Sequence, residues 1–124
     1  MSIIITGDST IDLSPELKQQ YGVQTVPLYV NMGDQSYRDG VDIVPEDIFK
    51  FVAETNILPK TAAPSIGEYE EFFKKELETA DVVIHFNISS KSSGSHNFAK
   101  MAAEEFAGKW NHVAFTVDPK AGHL

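Results

Sequence analysis

The sequence predicts an α/β fold, an open and mainly parallel sheet with helices on both faces. Three observations carry that expectation. Short apolar runs rich in β-branched residues alternate with helical patterns of about eleven to sixteen residues, which is the signature of βαβ units. The run Asp81–Ile88 (DVVIHFNI) is almost continuously apolar, as in a strand covered on both faces of a parallel sheet. A chain of 124 residues with 42% hydrophobic content supports one ordinary core, so residues 1–124 are expected to form one domain.

In chain order, Ile3–Thr6 reads as a buried strand that meets a polar loop at Gly7-Asp8-Ser9. Ser14-Pro15-Glu16 announces a short helix, with Ser as N-cap, Pro at the first helical position and an acid in the first turn; Gly22 stops it. Val23–Asn31 (VQTVPLYVN) reads as a second strand, with Pro27 marking an edge or a bulge. Gly33-Asp34 is a turn across which Gln35–Arg38 can pair back. Pro45–Thr55 is a helix with Ile48, Phe49 and Val52 on one face, and a loop from Asn56 to Pro64 follows. Ser65 and Glu68 have capping-box spacing, and Ile66, Tyr69, Phe73, Leu77 and Ala80 form an apolar stripe behind them. After the strand Asp81–Ile88, a helix over Ser95–Ala107 is expected to turn Phe98, Met101, Ala102 and Phe106 inward. Val113–Val117 is the last strand, and only DPKAGHL follows. That tail fits two readings: a chain cut at a domain boundary, with one face of the final strand bare, or an edge strand that needs no cover.

Composition excludes several classes of function. The formal net charge of −8 leaves no room for the basic patch that nucleic acid or an anionic membrane surface requires. There is no cysteine, which rules out disulfides and thiolate metal sites and suits a cytoplasmic location. No apolar run reaches the roughly 18 residues of a membrane span, and the N-terminus lacks the basic region of a signal peptide, so no membrane insertion is expected. His85, His96, His112 and His123 share no metal-ligand spacing, and His85, inside an apolar strand, reads as a satisfied core residue. No metal and no cofactor is expected.

Three polar segments fall beyond the carboxyl ends of the predicted strands, where open α/β sheets collect ligands: Thr6–Thr10, Lys60–Ser65 and Ser89–Ser95. The last holds five serines and a glycine in seven residues and leads into a helix, whose free N–H groups favour an anion. Hydroxyls there add donors without adding charge, which suits a carboxylate or a phosphate monoester. Caps and turns use the same residues, and they are the commoner reason for such a segment. Asp8 and Ser93 are the candidate nucleophiles of an alternative reading, a hydrolase or phosphotransferase. Against it, Thr10 stands where a second acid of a DxD pair would be, Ser9 lacks the G-x-S-x-G elbow, and Gly7 and Gly94 lack the companion glycines of a nucleotide loop.

The ordered motifs ITGDSTIDL, VPLYVNMGDQSYRDGVDI, LPKTAAPS and ISSKSSGS resemble the DegV family of bacterial fatty-acid-binding proteins, from Ile3 to about Val117. The resemblance implies the fold of the DegV N-terminal domain and a non-catalytic lipid carrier. Such a carrier holds one long-chain fatty acid, such as palmitate, and presents it to a fatty acid kinase. It also implies that Thr61 and Ser93 bind the carboxylate. Asp8, Ser9, Ser92, Gly94 and Ser95 are the neighbouring candidates for support, with Ser92 and Ser95 read first as turn and cap residues. Ser92 stands where the family usually has Leu, Ser95 where Thr is common, and Pro119 where Ser usually follows the Asp. Family members run to about twice this length, so a second, lipid-enclosing domain is expected to be missing from this chain. The exposed apolar face left behind is expected to favour self-association.

Overall fold

In the computed structural model the described residues are 1–106, together with the backbone of the strand at 111–117. Among them the strands form two sheets. The larger is wholly parallel, in the order β2-β1-β6-β7, from β1 (Ile3–Asp8), β2 (Gln24–Val26), β6 (Val82–Ile88) and β7 (Asn111–Val117). The smaller is antiparallel, in the order β4-β3-β5, from β3 (Tyr29–Met32), β4 (Gln35–Arg38) and β5 (Lys60–Ala62). The α/β class and the open parallel sheet match the sequence expectation.

The helices follow from their caps. α1 (Pro15–Tyr21) begins where the Ser14 hydroxyl accepts the Leu17 N–H, and it ends at Gly22, whose φ of 64° is the left-handed stop that glycine adopts at no steric cost. α3 (Ile66–Leu77) carries the predicted capping box, with Glu68 N–H donating to Ser65 Oγ at 3.2 Å and Ser65 N–H to Glu68 Oε2 at 2.7 Å. Its stripe builds the core: Tyr69, Phe73 and Leu77 are buried with Val26, Val83 and three alanines of α4 (Ser95–Glu104). From β1 to β2 the chain steps one way along the sheet, and from β6 to β7 it steps the other. Right-handed crossovers therefore place α1 and α4 on opposite faces.

Three expectations need correction. Val23–Asn31 is not one strand: β2 pairs in the large sheet and β3 in the small one. Pro27 has no N–H to continue a ladder, and the next N–H, on Leu28, donates instead to Ser9 Oγ at 3.1 Å. The segment Asn56–Pro64 is not all loop, since β5 lies within it and pairs with β3. α2 (Pro45–Thr55) forms where expected; on the face read from the sequence Ile48 and Val52 are half-buried, while Phe49 is 72% exposed. Finally, Met101 points outward, while Ala99, Ala102 and Ala103 turn inward. Small residues let α4 approach α3 closely, and a methionine at that face would hold the helices apart. Ala107, Trp110, His112 and the tail after Val117 lie outside the described residues or side chains.

Candidate functional site

The carboxyl ends of β1 and β6 lie side by side, with Thr6 opposite His85 and Gly7 opposite Phe86. Strand pleating sends alternate side chains to one face, so Thr6, Asp8, His85 and Asn87 share the face covered by α3 and α4. Gly7 lets the strand pass close under Ile11: a Cβ there would come within 2.9 Å of Ile11 Cδ1, so that side chain would have to turn aside, and within 3.4 Å of the Phe86 carbonyl oxygen.

Asp8 is the centre of this arrangement, with no exposed surface. Its Oδ1 accepts the Tyr69 hydroxyl at 2.7 Å and lies 3.4 Å from His85 Nε2. Its Oδ2 accepts Asn87 Nδ2 at 2.9 Å, and the Ser95 hydroxyl and the Ile88 N–H at 3.4 Å each. Burial alone would raise the carboxyl pKa, but the hydrogen bonds from His85, Asn87 and Tyr69 outweigh it and hold Asp8 below its ordinary value. Tyr69 is pushed strongly up, first by burial and then by the Asp8 charge, so it remains a donor. On the far side of His85, Nδ1 lies 2.8 Å from Thr6 Oγ1, and the ring packs edge-on against Phe73 and Tyr69. His85 is thus a partnered core residue, as the sequence indicated. Among the described residues Asn87 Oδ1 is the buried side-chain atom without a partner.

Above this cluster the serine segment folds into a tight turn. The Ser89 carbonyl accepts the N–H groups of Ser92 and Ser93, at 2.9 and 3.1 Å. The Ser89 hydroxyl accepts the Lys91 N–H, and the Ser93 hydroxyl accepts the Ser95 N–H, both at 3.2 Å. Ser90, Ser92 and Gly94 are exposed, Ser93 is half-buried and Ser95 is fully buried. At Gly94 φ is −73°, with open space where a Cβ would stand, so the backbone does not demand glycine.

The predicted site residues separate into two groups. Asp8, Ser93 and Ser95 are joined by consecutive hydrogen bonds, with Ser92 and Gly94 in the same turn. Ser9 is spent on the Leu28 N–H. Thr61 stands apart as the exposed middle residue of β5, paired with Val30, and among the described residues no hydrogen bond links it to Ser93. It lies in a strand four positions before the Ser65 cap, not in the first turn of α3. The complete burial of Asp8 suits an anchor rather than a nucleophile.

Sequence reading missed Tyr69 and Asn87 as members of the polar cluster. Tyr69 fell within an apolar stripe. The signal was the period-two spacing of His85 and Asn87 in an apolar strand, matching Thr6 and Asp8 in another.

The opposite face of the same strands carries a groove of about 420 Å³. Ile5, Phe86 and Ile88 form its floor, Ile11, Leu13 and Val23 its sides, and Ser89 brings it against the serine turn. Among the described residues no cluster of three His, Cys, Asp or Glu is placed to hold a metal, and no helix is long and apolar enough to cross a membrane.

Residues 2–118 match the family described as "Uncharacterised protein, DegV family". A DegV domain-containing protein of Deinococcus radiodurans is 40% identical over 109 residues, covering 88% of this chain and 39% of the relative. Among solved structures, a fatty-acid-binding DegV family protein of Thermus thermophilus is 40% identical with a TM-score of 0.81, over 95% of this chain and 41% of that one. A stearic-acid-binding protein of Eubacterium ventriosum is 34% identical with a TM-score of 0.82, over 90% of this chain and 40% of that one. This chain therefore spans about two fifths of the length of the relatives it matches. With one family matched along nearly all of its length, the chain belongs to the DegV family.

Proposed function

We propose that this chain is a non-catalytic lipid-binding module that takes a long-chain fatty acid such as palmitate. The carboxylate lies at Ser93, with Thr61 as a second hydroxyl donor, and the acyl chain lies along the apolar groove. One observation supports this reading: the lining of the apolar groove includes Ser89, the first residue of the serine turn that also carries Ser93, so apolar walls and hydroxyl groups are neighbours. That pairing suits an amphiphile with a small anionic head. Each charge-assisted hydrogen bond to the head contributes about 1.5–3 kcal/mol, and each buried methylene about 0.8 kcal/mol. The fatty acids bound by the Thermus and Eubacterium relatives support the same ligand class. Presentation of the acid to a fatty acid kinase in the cytoplasm follows from the family resemblance.

The groove floor is only half-buried at Ile5, Phe86 and Ile88. A dozen methylenes covered on one side forfeit roughly 5 kcal/mol, about three to four orders of magnitude in affinity. A second, lipid-enclosing domain of the kind found in longer family members would recover it. Mass spectrometry of organic extracts of the purified protein should find a long-chain fatty acid, and calorimetry should show palmitate binding weaker than micromolar that Ser93→Ala weakens further. Extracts without lipid, together with no saturable binding of palmitate, would overturn the proposal.

A further inference from the structure

We infer that Ser95 is a positioning residue for Ser93: tied to the buried Asp8 carboxylate, it holds the Ser93 hydroxyl so that its proton is presented to an anionic ligand. The inference rests on the reading of Ser93 as the head-group contact and adds how that contact is oriented.

A serine hydroxyl has one proton to donate and two lone pairs to accept with. At Ser93 one lone pair is taken by the Ser95 N–H at 3.2 Å. The remaining rotations keep the O–H away from that N–H, and a hydroxyl that accepts a hydrogen bond is a stronger donor. Ser95 itself is fully buried, and its own hydroxyl is given to Asp8 Oδ2 at 3.4 Å, so it does not serve as a ligand group. Asp8 is in turn fixed by Tyr69 at 2.7 Å and Asn87 at 2.9 Å. Donors from α3 and β6 thus set the carboxylate at the end of β1. The carboxylate sets the first residue of α4, and that residue sets Ser93. The negative charge of Asp8 is neutralised by donors within the core, so it organises an anion site without facing the anion.

The test is binding of [1-13C]decanoate, a soluble short acid with the same head group, followed by the carboxyl 13C shift. The proteins compared are the wild type, Ser93→Ala, Ser95→Ala, Ser95→Thr and the Ser93→Ala/Ser95→Ala double variant, each checked for folding by thermal melting. Ser95→Ala keeps the N–H but cuts the tie to Asp8. It should weaken binding about tenfold, whereas Ser95→Thr, which restores the hydroxyl, should stay within about twofold of wild type. In the Ser93→Ala background, Ser95→Ala should add nothing further. An equal loss from Ser95→Ala in both backgrounds would show that Ser95 acts on the ligand or on stability directly, and would overturn the positioning role while leaving the carrier reading intact. Decanoate binding by Ser93→Ala that equals wild type, or no saturable shift in wild type, would overturn the head-group reading and this inference with it.

Discussion

The two faces of the parallel sheet are built by opposite rules. On the face closed by α3 and α4, the strands contribute Thr6, Asp8, His85 and Asn87, and every one of these is at most 5% exposed. On the other face the same strands contribute Ile5, Ile84, Phe86 and Ile88, and these are only half-buried. The polar residues lie inside and part of the apolar surface remains open. Burial of a polar cluster is tolerable only where donors and acceptors are matched, and α3 and α4 supply the missing partners in Tyr69 and Ser95. An apolar strand face left half-open is the reverse case, and it is favourable once something apolar lies on it.

Removing the anchor of the closed face should have the largest effect. Asp8→Ala strands the Tyr69 hydroxyl, the Asn87 amide and the Ser95 hydroxyl in the core, with an expected loss of about 3–5 kcal/mol in urea unfolding. The two phenylalanines on opposite faces give a matched comparison. Phe73→Ala, at 4% exposure, should cost about 3–5 kcal/mol, and Phe86→Ala on the half-open face less than half as much. Equal losses would mean that the second face is as well packed as the first. Tyr69→Phe keeps the ring and removes one donor to Asp8, for an expected loss of about 1–3 kcal/mol.

The buried acids Asp8 and Glu76 should respond to pH in opposite senses. Asp8 has its folded pKa held below the ordinary 3.8, so its contribution to stability is fully present above that value and is lost as pH falls through the folded value. Glu76 is raised above its ordinary 4.5, chiefly by burial, with Lys75 opposing. At pH 7 it opposes folding, and the opposition fades as pH falls through its folded pKa towards 4.5. Glu76→Gln should therefore raise the urea midpoint at pH 7 and change little at pH 4. A gain that persists at pH 4 would assign the effect to packing instead. The smallest effect is expected at α2, where Phe49→Ser should change stability by less than about 0.5 kcal/mol. Self-association, if the open face drives it, should appear in sedimentation at high concentration and diminish in Phe86→Lys; a monomer at all concentrations would count against it.

Much of the fold was legible because its signals are local. The Ser14 and Ser65 caps, the Gly22 stop, the α3 stripe and the apolar run of β6 each lie within a few residues, and each stands where the sequence placed it. The candidate site was legible only as residue types near helix starts. That Ser9 is spent on Leu28, that Ser95 is spent on Asp8, and that Thr61 lies in a strand of the other sheet all depend on partners distant in sequence.

By itself the sequence determined the α/β class, the parallel sheet, the principal helices and the acidic net charge, because periodicity, capping and charge are written in the residues themselves. Only the tertiary structure decided that Val23–Asn31 divides between two sheets at Pro27 and that Phe49 of α2 stands exposed while Ile48 and Val52 are half-buried. It alone decided, too, that the serine segment is tied to a buried carboxylate 87 residues away in the chain. Those outcomes turn on which surfaces meet, and a hydrogen-bond donor or a strand edge is committed only when its partner arrives.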